Sequence, residues 1–213
     1  VMLSTSYTFP GSTASNGIVN YKILSNGTIL VDYSFYPGGS ALPEIPLIGF
    51  TITLPSGSDS IAWYGKGPHE NYIDRNLGSN TGVYKTTADD NFFAYIEPSE
   101  TGNHIGTYWV KAYDAAGDGL LVSGNKFEFS ALKYTPFELQ SKKHPFELEK
   151  STNTQLQINY KQMGVGGDDS WGAHPHDEFK IFPDTTYRFS FSLSPATSAT
   201  NAMSESVKKY VSN

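Results

Sequence analysis

Short stretches in which apolar and polar residues alternate recur along the chain, and turn-forming residues separate them. The first two, at 18–24 and 28–35, flank Asn26-Gly27, a dipeptide that tolerates the positive φ of a tight hairpin turn. Similar stretches predict strands at 47–54, 92–96, 106–113, 120–125, 127–131, 155–160 and 187–194. The pattern predicts an all-β fold whose strands are joined by hairpins.

Helical signals are confined to two short segments. Thr135 followed by Pro136 is typical of a helix start, and it predicts one short helix around 135–140. In the Ala/Ser/Thr/Asn-rich tail, Ser204 is placed to cap a helix over 205–211. We therefore expect antiparallel sheets packed as a sandwich or barrel in one domain, 1–195, followed by a peripheral tail or linker, 196–213.

Composition narrows the possible functions. The 213 residues carry a formal net charge of −6 and no cysteine, which excludes a disulfide framework, a thiolate zinc site and a cysteine nucleophile. No long basic run and no apolar run of about 18 residues occurs, so neither nucleic acid nor a membrane is an expected partner. Aromatic residues reach 14% while charged residues are only 17%, which favours neutral ligands bound by rings and hydroxyl groups.

One dense cluster of polar and aromatic residues lies at 63–75. Its candidate pocket or interface residues are His69, Glu70, Asn71, Asp74 and Arg75. Carboxylates and amides bind hydroxyl groups, and aromatic faces stack on the C–H side of a sugar, so a sugar-facing or interface loop is one interpretation. The alternative is a structural corner, in which Asp74 pairs with Arg75 and Glu70 accepts backbone N–H groups.

A second cluster lies at 163–176, where three glycines at 164–167 allow close approach of the backbone. Its candidates are Asp168, Asp169, Ser170 and Trp171. Adjacent aspartates in a strand point to opposite faces, and aspartate readily bonds its own backbone two residues on, so hydrogen-bonded turns are favoured over paired acids or a metal site. Trp171, between a serine and a glycine on a bent loop, fits exposure toward a ligand as well as burial.

Other polar residues give weaker signals. His174 and His176 lack the convergent partners of a zinc site, and no nucleophile elbow accompanies the scattered histidines. Glu97 and Glu100 have the residue types of a glycosidase acid and base, although a solvated turn is the better interpretation. No catalytic or metal-binding residue is predicted in this chain.

Three motifs, in their order and spacing, resemble those of the C-terminal small-chain domain of family 2 β-galactosidases. The resemblance runs from about Thr5 to Ser194, and it rests on Trp63-Tyr64-Gly65-Lys66-Gly67-Pro68-His69-Glu70-Asn71-Tyr72-Ile73-Asp74-Arg75, Pro98-Ser99-Glu100-Thr101-Gly102-Asn103 and Met163-Gly164-Val165-Gly166-Gly167-Asp168-Asp169-Ser170-Trp171. It implies an antiparallel β-supersandwich similar to galactose mutarotase. The family's domain is longer, so we expect strands that precede Val1.

The resemblance also implies a function. Members of this family hydrolyse terminal β-D-galactosyl groups with retention, using glutamates on a TIM-barrel domain that also binds Mg²⁺ and Na⁺. Neither that domain nor its cofactors are expected in this chain, whose implied partners are the catalytic domain or subunit and the β-galactoside. The tryptophan that stacks on sugar at the active-site mouth corresponds here to Trp171.

Two other functions stay open at this point. A free-standing carbohydrate-binding module would use Trp171 with Tyr64 and Tyr72. A mutarotase-type epimerase would need a histidine acid and a glutamate base, for which His104 or His176 and Glu100 or Glu178 are the candidates. The sequence does not indicate the compartment.

Overall fold

The computed structural model describes residues 1–9, 15–39, 41–169 and 171–208. Its strands are antiparallel and belong to one ten-stranded sheet: β1 (Met2–Thr8), β2 (Asn16–Ile23), β3 (Ile29–Tyr36), β4 (Leu47–Leu54), β5 (Ser60–Gly67), β6 (Asn80–Thr87), β7 (His104–Tyr113), β8 (Gly119–Leu132), β9 (Thr154–Gln162) and β10 (Tyr187–Ala196). Two short helices, α1 (Pro136–Ser141) and α2 (Ala202–Ser206), and two 3₁₀ turns, Pro145–Glu147 and Asp177–Phe179, complete these elements. The prediction of an all-β antiparallel fold is confirmed.

The long strand β8 divides the sheet into two branches. It pairs with β7 between Gly119 and Phe129 and with β10 between Gly119 and Gly124, in the order β1-β2-β3-β10-β8-β7-β5-β6. Its last part, from Glu128 to Leu132, pairs with β9, which in turn pairs with β4. Lys126, at φ 54°, lies where β8 changes partners. The branches face each other across the core, since Phe50 of β4 packs 5.1 Å from Tyr33 of β3 and 5.4 Å from Phe191 of β10.

Apolar residues from both branches fill the space between them. Trp63, Phe129 and Ile158 are at most 1% exposed, and Trp63 packs edge-on against Phe129 at 5.6 Å. Burying such a side chain stabilises the fold by about 1.5–3 kcal/mol. The core therefore fixes the ends of β5, β7 and β9, from which the polar loops project.

The first hairpin and the first helix form as the sequence predicts. Leu24 N–H donates to the Thr28 carbonyl at 2.8 Å across the Asn-Gly turn, where Gly27 has φ 82°. Thr135 Oγ1 accepts from Glu138 N–H at 3.0 Å and caps α1. Local turn and capping chemistry decide both features.

Several predicted elements differ from the structure. Residues 92–96 form no strand, because their rings pack within a loop: Phe92 lies 4.8 Å from Tyr134 and Phe93 lies 4.7 Å from Tyr95. The predicted strands 120–125 and 127–131 are one strand, β8. The tail helix begins earlier than predicted, since Asn201 rather than Ser204 caps α2. The end of its predicted range, from 209, lies outside the described residues.

Three strands were missed in the sequence. On one face of β5 the buried residues Ile61 and Trp63 are followed by two glycines, and the opposite face carries the buried Ala62 and the half-buried Tyr64, so this strand shows no clear alternation of apolar and polar positions. The strands β1 and β6 contain many polar or glycine residues, and each pairs with a neighbour along its full length. Pairing, rather than their own pattern, makes them strands.

Gly65 allows β5 to approach β7 closely. A Cβ atom at Gly65 would lie 2.6 Å from Thr107 Oγ1 and 2.8 Å from Thr107 Cα. We expect Gly65→Ala to lower the free energy of unfolding by about 1–3 kcal/mol in urea denaturation, because the β7 backbone would have to shift. Gly78→Ala is the matched control, since its Cβ would meet open space. Equal stability of the two variants would contradict this account.

Candidate functional site

Three loops meet at one end of the sheet. The 68–79 loop follows β5, the 88–103 loop joins β6 to β7, and the 163–186 loop joins β9 to β10. Asn71 N–H donates to the Asn103 carbonyl at 2.7 Å, which joins the first two loops, and Gly166 N–H donates to Asp74 Oδ2 at 2.8 Å, which joins the first and third. Most of the predicted site residues are thereby brought together.

The carboxylate of Glu70 joins the 68–79 and 88–103 loops. Its oxygens accept hydrogen bonds from five donors: Arg75 Nη2 at 2.6 Å, Gly102 N–H at 2.7 Å, the hydroxyls of Tyr72 and Thr101 at 3.3 Å, and the hydroxyl of Tyr95. The Glu70 side chain is only 15% exposed. Burial, with the nearby Glu70 charge as a further cause, raises the pKa of the Tyr72 and Tyr95 hydroxyls. These hydroxyls therefore stay protonated as donors.

The predicted salt bridge between Asp74 and Arg75 is wrong. Tyr72 and Arg75 exchange backbone hydrogen bonds in a tight turn, and the Arg75 guanidinium lies 5.0 Å from the centre of the Tyr72 ring. This turn directs Arg75 toward Glu70, whereas Asp74 reaches the 163–186 loop. Glu70 does accept a backbone N–H, but the donor is Gly102 of another loop.

Asn71 and Glu128 form a buried polar layer beneath the loops. Asn71 is fully buried, donates to the His69 carbonyl and accepts from Ile105 N–H, both at 2.9 Å, whereas His69 itself is exposed. Glu128 Oε2 accepts from Asn103 Nδ2 at 3.1 Å and from Gln162 N–H at 3.2 Å. Burial raises the pKa of Glu128 to about 7.

His104 lies inside the protein and not at the loop surface. It is fully buried, its ring centre lies 4.3 Å from that of Trp63, and its Nε2 is 2.9 Å from Asn91 Oδ1. Burial lowers the pKa of its imidazole to about 4. A neutral, enclosed imidazole does not have the access to solvent that a general acid for a sugar requires.

The turn that carries Trp171 is organised by the two aspartates before it. Asp169 Oδ1 accepts from Trp171 N–H at 2.8 Å and from Ala173 N–H at 3.3 Å, which is the turn structure expected from the sequence. Asp168 Oδ1 lies 2.8 Å from His176 Nε2. The predicted site residue Ser170 lies outside the described residues. Trp171 itself is 93% exposed.

Two clefts lie among the loops. The first, of about 280 Å³, is lined by residues of all three loops that include Tyr95, Ser99, Glu100 and Gly164. The second, of about 300 Å³, is lined by Asp74, Gly166, Asp168 and His176, among others. Arg75 and Val165 line both. The walls present a guanidinium, carboxylates, an imidazole and hydroxyls, which suit hydrogen bonding to a hydroxyl-rich ligand.

Some residues of this site were not identified from the sequence. Tyr95 was assigned to a strand that does not form, and Glu128 lies in an ordinary strand pattern. Thr101 and Gly102 occur in the second motif of the resemblance, which was the available signal for their role. Within the described ranges there is no group of three or more His, Cys, Asp or Glu side chains able to hold a metal ion. None of the helices described is both long and apolar enough to cross a membrane.

The comparisons with known proteins agree with the motifs. The sequence matches the family described as the β-galactosidase small chain over residues 2–193, and the chain belongs to this family. It is 37% identical over 196 residues to a β-galactosidase of Priestia megaterium, which covers 92% of this chain and 19% of that protein. It is 36% identical over 188 residues to a β-galactosidase of Streptococcus thermophilus, and this match covers 87% of this chain and 18% of that protein. The chain thus spans about a fifth of the length of these relatives.

Two solved structures are similar in shape. One is a candidate aldose 1-epimerase from Escherichia coli K12, with a TM-score of 0.48, 8% identity and coverage of 92% of this chain and 65% of that chain. The other is a galactose mutarotase related enzyme from Lactobacillus acidophilus, with a TM-score of 0.42, 13% identity and coverage of 88% and 63%.

The Glu70 network generates a first prediction for the site. In Glu70→Gln the new amide group has one acceptor oxygen in place of two, so several of the five donors lose their partner. We expect the free energy of unfolding to fall by about 2 kcal/mol. Glu100→Gln, an exposed change on the 88–103 loop, should cost less than about 0.5 kcal/mol. Comparable losses in both variants would argue against a special role of Glu70.

The raised pKa of Glu128 generates a second prediction. Because its folded-state pKa of about 7 exceeds the ordinary 4.5, the folded state binds this proton more tightly than the unfolded state. The stability that this group contributes is full below about pH 4.5 and is lost as the pH rises through 7. We expect the free energy of unfolding of Glu128→Gln, relative to the wild type, to be higher at pH 8 than at pH 4.5 by about 3 kcal/mol.

Comparing Glu128→Gln with the wild type at each pH removes the contribution of His104 to the pH dependence of stability. Its lowered pKa of about 4 means that stability is lost as the pH falls below 6.5, and this loss is common to the wild type and Glu128→Gln. Urea denaturation of both proteins at pH 4.5 and pH 8 measures the difference directly. A difference that does not change with pH would show that Glu128 titrates normally.

Proposed function

We propose that this chain is the C-terminal small-chain domain of a retaining β-galactosidase, an enzyme that hydrolyses terminal β-D-galactosyl residues. In this proposal Trp171 completes the substrate pocket, while the catalytic glutamates and the bound Mg²⁺ and Na⁺ belong to a TIM-barrel domain outside this chain. The family match and the partial coverage of much longer β-galactosidases support it. The observation that carries the pocket role is the 93% exposure of Trp171.

An exposed indole on a folded turn is suited to stacking on a sugar. Trp63 and Trp109 are 1% and 5% exposed, so Trp171 differs from both in facing outward. Its backbone is held by Asp169, and Gly172 follows at φ 104°. Aromatic stacking contributes about 0.5–1.5 kcal/mol beyond the burial of area, which is enough to affect the binding of a galactoside.

Three carboxylates of the site already have structural partners, which supports the proposal that this chain alone is inactive. Glu70 accepts from five donors, Glu128 is buried beneath the loops, and Asp168 pairs with His176. A glycosidase needs one carboxyl to protonate the leaving group and another to attack or activate water. Catalytic carboxylates are therefore assigned to other polypeptide.

The loop end is also the proposed contact face for the catalytic part. Large apolar side chains are exposed on all three loops: Leu77, Phe93, Ile96, Val165 and Phe182, in addition to Trp171. Polar clefts lie among these loops. This combination fits a surface that meets a protein partner while it contributes polar walls to a sugar cavity.

We expect the isolated chain to release no measurable product from a chromogenic β-galactoside.

In the complete enzyme that contains this chain, Trp171→Ala should raise KM for the galactoside about fivefold, because a stacking contribution near 1 kcal/mol is lost. Trp171→Phe, which keeps a smaller aromatic face, should lie between Trp171→Ala and the wild type. Steady-state kinetics on the three proteins make the comparison.

A free-standing carbohydrate-binding module is the second candidate, which the exposed indole and neighbouring clefts also favour. Titration of the isolated chain with millimolar methyl β-galactoside, followed by tryptophan fluorescence, separates the two functions. No change until the catalytic part is added supports the small-chain proposal. Binding by the isolated chain that disappears in Trp171→Ala supports the module, and turnover by the isolated chain would overturn the assignment of catalysis to other polypeptide.

A further inference from the structure

Asp74 joins the loop that carries Trp171 to the rest of the site. Its Oδ2 accepts from Gly166 N–H at 2.8 Å, a charge-assisted hydrogen bond between segments 92 residues apart. The 68–79 loop that holds Asp74 is itself fixed by the fully buried Asn71 and by Glu70. The hydrogen bond therefore ties Gly166 to a well-anchored part of the molecule.

The backbone around Gly166 is shaped to receive the Asp74 carboxylate. A Cβ atom at Gly164 would lie 2.7 Å from Asp74 Oδ2 and 2.9 Å from Asp74 Cγ, so only glycine leaves room there. The other oxygen, Oδ1, is buried and has no hydrogen-bond partner among the described residues.

The part of the loop directly after Gly166 is held by its own residues, whereas Ile181 and Pro183 further along accept hydrogen bonds from Ile45 and Gly39 outside the loop. We call residues 167–169 and 171–176 the Trp171 tip. Asp169 binds the backbone of Trp171 and Ala173, and a Cβ atom at Gly167 would collide with the Ala173 carbonyl. Asp168 pairs with His176 across the base. Among the described residues, the hydrogen bonds of the tip stay within the 163–186 loop, so it behaves as a preformed unit.

We infer that Asp74 is a positioning residue, which fixes the direction of the Trp171 tip by holding the backbone at Gly166 just before it. The tip sets its own internal shape, whereas the Asp74 contact sets where that shape points relative to the two clefts. The consequence for galactoside binding rests on the proposed function of Trp171. The effect of Asp74 on the mobility of the indole does not depend on that function, and it is measured without sugar.

Time-resolved tryptophan anisotropy of this chain tests the mechanical part. Trp63 and Trp109 are buried, so the difference between each protein and its Trp171→Phe counterpart isolates the exposed indole. In Asp74→Ala we expect the amplitude of the nanosecond component of Trp171 to rise about twofold, as in loops that lose an anchor. Asp74→Asn keeps an acceptor oxygen for Gly166 N–H and should restore the wild-type amplitude.

Asp184→Ala is the matched control, since it removes an exposed carboxylate from the far end of the same loop. Its Trp171 amplitude should equal that of the wild type. An unchanged amplitude in Asp74→Ala, or an equal rise in Asp184→Ala, overturns the inference whatever Trp171 does in the enzyme. If Asp74→Ala folds poorly, Asp74→Asn still tests the inference. A twofold rise of the Trp171 amplitude in Asp74→Asn would overturn it too.

Kinetics of the complete enzyme test the functional part. We expect Asp74→Ala to raise KM for the galactoside about threefold, less than the removal of the indole itself, and to have no further effect in a Trp171→Ala background, because it acts through the indole. An undiminished effect in that background overturns the inference. If anisotropy changes as expected while both Trp171→Ala and Asp74→Ala leave KM unaltered, the positioning stands and the proposed function of Trp171 fails.

Discussion

The hydrogen bonds that the Glu70 carboxylate accepts are the interaction on which the loop end depends. A loop surface without regular secondary structure can keep a fixed shape only if its polar groups find partners inside the protein. Glu70 supplies two acceptor oxygens to five donors from two loops. This arrangement keeps the Arg75 guanidinium and the Tyr72 hydroxyl in one geometry, and it gives Asp74, on the same tight turn, a fixed position from which to reach the third loop.

The sheet places those loops beside one another. Because β8 pairs around Phe129 both with the start of β7 and with β9, loops that are far apart in sequence emerge at the same end. Asn103, the last residue before β7, donates its side-chain amide to the Glu128 carboxylate in β8. Glu128 also accepts a hydrogen bond from the Gln162 N–H at the end of β9. The polar layer beneath the site is thus built directly on the branch point of the sheet.

The sequence predicted those features that depend on neighbours along the chain. The Asn-Gly hairpin, the capped helix α1 and the turn at Asp169 follow from local chemistry, and all three form. Features that depend on long-range pairing were missed: β5 has glycines on its buried face and apolar residues on the other, and Arg75 pairs with Glu70 and not with the adjacent Asp74. Tyr95 joins the site because its loop folds back onto Glu70, which no periodicity of residues 92–96 could indicate.

The exposure of Trp171 depends on contacts that the residues next to it in the sequence do not reveal. A large apolar ring in water is unfavourable, and a flexible loop would relieve the cost by folding the ring against the protein. Here the Asp169 carboxylate holds the backbone N–H groups of Trp171 and Ala173, and Asp74 holds the loop before them at Gly166, so the backbone cannot turn the ring inward without breaking these hydrogen bonds. Polar contacts at the base of the loop therefore maintain an apolar surface at its tip, and the outward indole is a property of the folded site and not of an unstructured segment.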